Sequence, residues 1–347
     1  MKTLLERARG AELDIIVDSQ VPVSTMALLS SNTQQMRSFS FSCNEWTIIQ
    51  RFSQVISGPL PLLRALTIDT LHLDGFDATL LHHQRLFSNV VNLRVLRFHS
   101  KSLCSPSFTR FDFPNLVTFD FSTKPSQWFL ASRLFDFLEA SPNLRTVVMA
   151  IIGRISFEDV PRERIVVLPD VESFSLTMSD GGRGYEIAAY ISCPSARFTM
   201  LMHTIHCYTV PEEIFPTSVS WNAIVHQYTR SPVEEVTLEL KIALAIVCKL
   251  TFRSSDETVI QLCFKVVEDD NGFCLLSQEM QNEILTQSTR TVWWHPQLAN
   301  IKRLWICHSF RFICSPEDSH ITDEIGRLFR SVAPLCQGCK ACLLLGS

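Results

Sequence analysis

The stretch Pro114-Asn115-Leu116-Val117-Thr118-Phe119-Asp120-Phe121 decides how this chain is read. A proline-led turn runs into a segment that is apolar at an anchor and again three and five residues later. Proline fixes its own φ and biases the residue before it away from helix, so it marks where a strand can begin. Strand side chains alternate between faces, which puts Phe119 and Phe121 on one side and Thr118 and Asp120 on the other. The spacing recurs at Met36-Phe39-Phe41, Leu63-Leu66-Ile68, Leu93-Leu96-Phe98, Leu144-Val147-Met149 and Val171-Phe174-Leu176. It continues at Val233-Val236-Leu238, Val259-Leu262-Phe264 and Ile301-Leu304-Ile306. With Leu116 included, successive anchors lie 27, 30, 23, 28, 27, 62, 26 and 42 residues apart. One unit of this length cannot bury its own apolar side, so the units are expected to stack into a solenoid.

Proline turns also precede the anchors at Pro61, Pro142, Pro169 and Pro194. The last leads into Ala196-Thr199-Leu201, which keeps the turn, lacks the large anchors and reads as a degenerate copy. Leu13-Asp14-Ile15-Ile16-Val17 alternates without the full spacing. Between the strands, residues 46–56, 79–87, 133–140, 184–191, 221–228, 277–288 and 323–332 have helical spacing. The expected fold is therefore an α/β solenoid, with parallel strands on the concave face and helices on the convex face. It spans residues 1–335, and a cysteine-rich tail fills 336–347. Doubly wound sheets and barrels also alternate helix and strand, but their strands are usually apolar on both faces. Here the positions four beyond the anchors are mixed: Ser40, Thr67, Arg97, Asp120, Val148, Ser175, Thr237, Cys263 and Trp305. One face is expected to be buried and the other open.

Composition narrows the function classes. The chain has 347 residues, 46% of them hydrophobic and 19% charged, enough for an ordered interior and too apolar for disorder. A net charge of −4 supplies no global basic field for nucleic acid. The charged opening, from Lys2 to Arg7, interrupts any signal-like apolar run, and no stretch approaches a membrane span. The twelve cysteines are mostly scattered singly through strand-like segments, the placement of free thiols in a reducing compartment. A protein of the cytoplasm or nucleus is expected, with no membrane and no nucleic-acid partner.

Few residues suggest chemistry. Cys336, Cys339 and Cys342 have a C-x2-C-x2-C spacing that could gather thiolates around zinc or iron–sulfur, but the terminal segment offers no fourth ligand. They are weak candidates, and no cofactor is expected. His203 and His206 would diverge on a strand, and adjacent His82 and His83 diverge on a helix. Gly181, Gly182 and Gly184 match neither phosphate-loop pattern. No spacing nominates a catalytic residue, and a non-enzymatic protein is expected. The open strand face remains, with Val95 and Arg97, Thr118 and Asp120, Thr146 and Val148, Glu235 and Thr237, then Arg303 and Trp305. Arg97, Asp120, Arg303 and Trp305 are the expected protein-binding residues, since Arg and Trp dominate many interfaces.

An L-x-x-L-x-L core with a preceding helix and P-x-L turn resembles leucine-rich repeats. The irregular version here, with turns such as Pro114-Asn115-Leu116 and Pro142-Asn143-Leu144, resembles the repeat region of fungal F-box proteins. The opening Leu4-Leu5-Glu6-Arg7-Ala8 followed by Leu13-Asp14-Ile15 is similar to the segment that follows the F-box in that family. The resemblance implies a substrate-recognition module of a ubiquitin ligase. No F-box is visible, so a Skp-type adaptor and cullin are expected as partners only if one lies upstream. The usual Asn or Cys eight residues beyond the anchor occurs only at Asn44, and loops without a side-chain amide ladder are expected.

Overall fold

The computed structural model describes residues 10–17, 29, 31–42, 60–70, 90–100, 113–123, 129–152, 155–179, 184–194, 196–204, 228, 231–242, 245–255, 259–267, 303–310 and 340–346. They belong to two compact units, Met1–Ser173 and Phe174–Ser347. Of the helical spacings, those at 46–56, 79–87, 277–288 and 323–332 lie outside the described residues, as does 221–228 apart from Tyr228.

The first unit is a solenoid of parallel strands. Strands β1 (Leu13–Val17), β2 (Met36–Ser42), β3 (Ala65–Thr70), β4 (Val95–Ser100) and β5 (Thr118–Thr123) pair in chain order. A two-residue pair, β6 (Phe129–Leu130) and β8 (Ile155–Ser156), flanks β7 (Thr146–Ile152), which joins β5 in parallel. A short β9 (Val166–Val167) precedes the end of the unit. Two apolar ladders run through the stack: Phe39-Leu66-Leu96-Phe119-Val147 and Phe41-Ile68-Phe98-Phe121-Met149. Every one of these side chains is buried. The anchor spacing read from the sequence is thus the register of the sheet.

What sets that register is the turn. In each repeat a residue in the interior accepts a hydrogen bond from the anchor's N–H three positions on: Leu63 to Leu60, Leu93 to Val90, Leu116 to Phe113, Leu144 to Ser141 and Val171 to Leu168. Proline is suited to the second position of such a turn because its φ is already correct and it has no N–H to leave unpaired. The residue after the anchor then donates its N–H to its counterpart one repeat back, at 2.8 Å each time: Arg64 to Arg37, Arg94 to Arg64, Val117 to Arg94, Arg145 to Val117 and Glu172 to Arg145. A side-chain amide ladder, distinct from one eight residues beyond the anchor, runs one residue before it. The Nδ2 groups of Asn92, Asn115 and Asn143 reach the carbonyls of Pro61, Val91 and Pro114 at 2.8, 3.0 and 2.5 Å. Each asparagine satisfies a turn carbonyl of the previous repeat, and Asp170, whose side-chain carboxylate has no N–H to give, ends the series.

The helix expected at 133–140 is present as α1 (Ala131–Glu139). It buries Ala131, Leu134, Phe135, Phe137 and Leu138, and Phe137 packs on Phe119 and Phe113, so α1 covers the apolar face of the sheet. Arg164 ties the chain beyond β8 to its far side, bonding Asp136 at 2.8 Å and Glu139 at 2.7 and 3.2 Å. Its guanidinium also lies over the Phe135 ring.

Two interior hydroxyls break the apolar rule. Thr123 and Ser141 are fully buried, and among the described residues neither hydroxyl finds a partner. Ser141 occupies the turn position that Leu60, Val90, Phe113 and Leu168 fill in other repeats. Burying an unpaired hydroxyl costs about 1–3 kcal/mol. Thr123→Val keeps the shape and removes that cost, so thermal melting should rise by about 2–4 °C. A lower melting temperature would mean the hydroxyl contributes to the fold.

The second unit departs from chain order. Its strands are β10 (Ser173–Ser179), β11 (Ile191–Ser192), β12 (Arg197–Thr204), β13 (Val233–Ile242), β14 (Ala245–Ser254), β15 (Val259–Val267), β16 (Arg303–Phe310) and β17 (Lys340–Gly346). The main sheet runs β10-β12-β15-β14-β13-β16-β17. The copies at Val233 and Val259 are therefore not neighbours, against the sequence expectation of successive parallel repeats. An antiparallel strand, β14, separates them. Loop length explains this: two residues join β13 to β14 and four join β14 to β15. Parallel neighbours need a crossover of a dozen or more residues, so these links can only turn the chain back. The 26-residue spacing here is the repeat of a meander, not of a solenoid.

The copy at Ala196 is also corrected. Buried residues fall at Ala196, Phe198 and Met200, while Thr199 and Leu201 are only partly covered. The large anchors are displaced by one residue rather than lost. Phe198 stacks at 3.9 Å on Tyr228, whose hydroxyl donates to the Ala188 carbonyl at 3.2 Å in the helix α2 (Gly184–Ala189). Tyr228 is fully buried, and this burial together with the nearby Cys193 raises its ionisation well above the usual range. Cys193 is a buried free thiol that burial keeps protonated.

Candidate functional site

On the open side of unit 1 three rows cross the sheet beside the apolar ladders. They read Ser38-Ala65-Val95-Thr118-Thr146, Ser40-Thr67-Arg97-Asp120-Val148 and Ser42-Asp69-His99-Ser122-Ala150. None of these residues is fully buried. Their backbones are fixed by the ladders behind them, so the side chains project from a rigid floor about 4.8 Å apart from strand to strand.

Two adjacent rows bring four ionisable residues together. Arg97 lies opposite Asp120 in the register, with its Nε 4.0 Å from Oδ2. His99 lies opposite Asp69 on the other side, and its Nε2 is 3.1 Å from Oδ1 of Asp120. The Asp120 hydrogen bond lifts the His99 ionisation above its ordinary value of 6.5. Partial burial opposes this, the charges of Asp120 and Asp69 reinforce it, and Arg97 counters them.

A raised folded-state value has a definite sign. Proton binding to His99 stabilises the unit fully below the unfolded imidazole value, and that contribution fades as pH rises through the folded value. Unit 1 should therefore melt at higher temperature in mildly acid than in mildly alkaline buffer, through this group. His99→Gln should flatten that part of the profile, and a wild-type slope in the variant would show that another group causes it.

The structure thus joins two of the expected binding residues, Arg97 and Asp120, in one cluster. It adds Asp69 and His99, which sequence reading missed by stopping four residues beyond the anchor. The sixth position shares the same face by simple alternation, and inspecting it would have found both. Arg303 and Trp305 belong to β16 in the second unit, where Arg303 is in register with Glu235 and Lys340, and Trp305 with Thr237 and Cys342. Cys342 is on β17, while Cys336 and Cys339 lie outside the described residues. So do His82, His83, His206, Gly181 and Gly182. Among the described residues no group of three or more His, Cys, Asp or Glu could hold a metal ion, and no helix is long and apolar enough to cross a membrane.

Compared with protein-family models and with curated proteins, the sequence matches none.

Proposed function

We propose that the chain is a non-enzymatic protein-binding module that grips a partner on the open face of unit 1. The observation that carries this reading is the cluster of Asp69, Arg97, His99 and Asp120, set on a sheet whose opposite face is anchored by buried ladders. Charged side chains of both signs on a rigid floor suit recognition of a complementary protein surface, because they lose little freedom on binding.

The finer assignment rests on resemblance. In a leucine-rich-repeat form, helices would line the face opposite the open one throughout, as α1 does in one repeat. The module would then act as the substrate-recognition part of a ubiquitin ligase in the cytoplasm or nucleus. On the second unit, taken by itself, Arg303 and Trp305 of β16 are the proposed contact residues. Affinity capture from the source cells with wild type and with Arg97→Ala/Asp120→Ala tests this. The expected result is a protein recovered with wild type and lost with the equally stable variant. Co-recovery of a Skp-type adaptor and cullin supports the ligase assignment, whereas partners without them support a free-standing scaffold. Identical recovery by both proteins removes the open face as the binding site. Stoichiometric zinc or iron in the purified protein would instead favour a metal role for the terminal cysteines.

A further inference from the structure

A second surface lies at the strand entrances of unit 1, away from the open-face cluster. The residues that follow the anchors are joined in series by the backbone bonds at 2.8 Å, in the order Arg37, Arg64, Arg94, Val117, Arg145, Glu172. Four of these six are arginines, all exposed. The outer two are already matched. Arg37 bonds Asp14 and lies 3.5 Å from Glu12, and Arg145 meets Glu172 at 3.4 Å. Arg64 and Arg94, adjacent in the middle, have no side-chain hydrogen bond or ion pair among the described residues. Beside them the turns expose Leu62 and Val91, 38% and 60% accessible.

We propose that this row is a docking site for an extended acidic peptide segment whose carboxylates meet Arg64 and Arg94 and whose apolar side chains cover Leu62 and Val91. Neighbouring strands are about 4.8 Å apart, so the row from Arg37 to Arg145 spans about 19 Å. An extended segment of about six residues covers that distance. The guanidinium fork can hold a carboxylate through two parallel bonds, and two forks side by side without a partner among the described residues can receive a pair of carboxylates from a ligand. The acids at both ends of the row confine the unmatched charge to its centre. A nucleic acid is disfavoured by the same surface. The one aromatic side chain of these turns among the described residues, Phe113, is buried and offers no face for bases to stack on. The amide donors of Asn92 and Asn115, which could read base edges, are held by Pro61 and Val91.

Fluorescence anisotropy on the full chain tests the idea, using a labelled peptide of about six residues with Glu and Leu alternating, its Gln-for-Glu analogue, and a single-stranded uridine oligonucleotide. The acidic peptide should bind and weaken with added salt, and the Gln analogue should bind far less. R64E/R94E should reduce affinity at least about tenfold. R133E/R162E, which alters exposed arginines outside the row and changes net charge equally, should stay within about twofold. Should R64E/R94E fail to fold, Arg64→Gln/Arg94→Gln should still lose several-fold. Equal loss in both double variants, no loss in either, no binding of the acidic peptide, or tighter binding of the oligonucleotide would each overturn the proposal. None of these outcomes touches the open face, whose test uses Arg97 and Asp120.

Discussion

Replacing Leu96 by Asp should leave unit 1 without a cooperative thermal transition. Leu96 is fully buried and sits in the ladder between Leu66 and Phe119, both equally buried. An ionised carboxylate there would have apolar neighbours on both sides and no cation within the ladder. The protein would either protonate it or open the sheet, and each route costs several kcal/mol. Domain stabilities are only about 5–15 kcal/mol, so the loss is a large fraction of the whole. Because each repeat is held chiefly by its neighbours, damage should spread from β4 to β3 and β5. Arg97→Ala, one residue along, removes a half-exposed side chain whose Nε lies 4.0 Å from Oδ2 of Asp120. Its melting temperature should shift by no more than about 1–2 °C. Circular dichroism melts of the two variants check the assigned faces directly. Similar damage from both would mean that the alternation along β4 is misassigned.

The same alternation accounts for how much of the fold was legible in the sequence. In unit 1 each anchor set became a rung because a large residue at the third and fifth positions cannot face water in every repeat. The turns were legible too, since Pro61, Pro114, Pro142 and Pro169 announce them. What their asparagines do was not. Asn115 looks like an ordinary turn residue until the preceding repeat is placed beside it, where its amide meets the Val91 carbonyl. The ladder sought eight residues beyond the anchor is a different one, and its positions at Asn44, Leu71, Lys101 and Lys124 lie outside the described residues.

In unit 2 spacing misled because it carries no direction. Val233 and Val259 are as far apart as two solenoid repeats, yet Ala245–Ser254 folds between them as a reversed strand. The signal was the alternation of Lys249, Thr251 and Arg253 with Leu250 and Phe252, together with links too short for a crossover. At β12, the turn from Cys193 to Ala196 was recognised, but one residue fewer before the first large side chain shifted the phase onto Phe198 and Met200. Periodicity fixes faces within a strand and leaves the pairing of strands to the loops. The basic row escaped notice for a related reason. Arg37, Arg64, Arg94 and Arg145 are remote in sequence and become one surface only when the repeats are stacked.

The largest loss from a single truncation should come from Phe119→Ala. Its ring is 4.6 Å from that of Phe137 on α1 and 5.7 Å from that of Phe121, while Phe137 in turn meets Phe113 edge-on at 5.9 Å. Phe119 thus connects the sheet to the helix that covers it and to the turn that starts β5. Truncation leaves a ring-sized void against a helix end and a β-turn, elements that cannot collapse without breaking the hydrogen bonds that fix the register. The expected cost is about 3–5 kcal/mol in chemical denaturation. Phe137→Ala should cost a similar amount, and the double variant should lose less than the sum by at least about 0.5 kcal/mol, because both remove the same ring contact. Phe39→Ala, in the same ladder but three strands away, should add to Phe119→Ala within about 0.5 kcal/mol. Coupling with Phe39 as strong as with Phe137 would show that the ladder responds as one body rather than through contacts between adjacent repeats, and would undo the solenoid account of its stability.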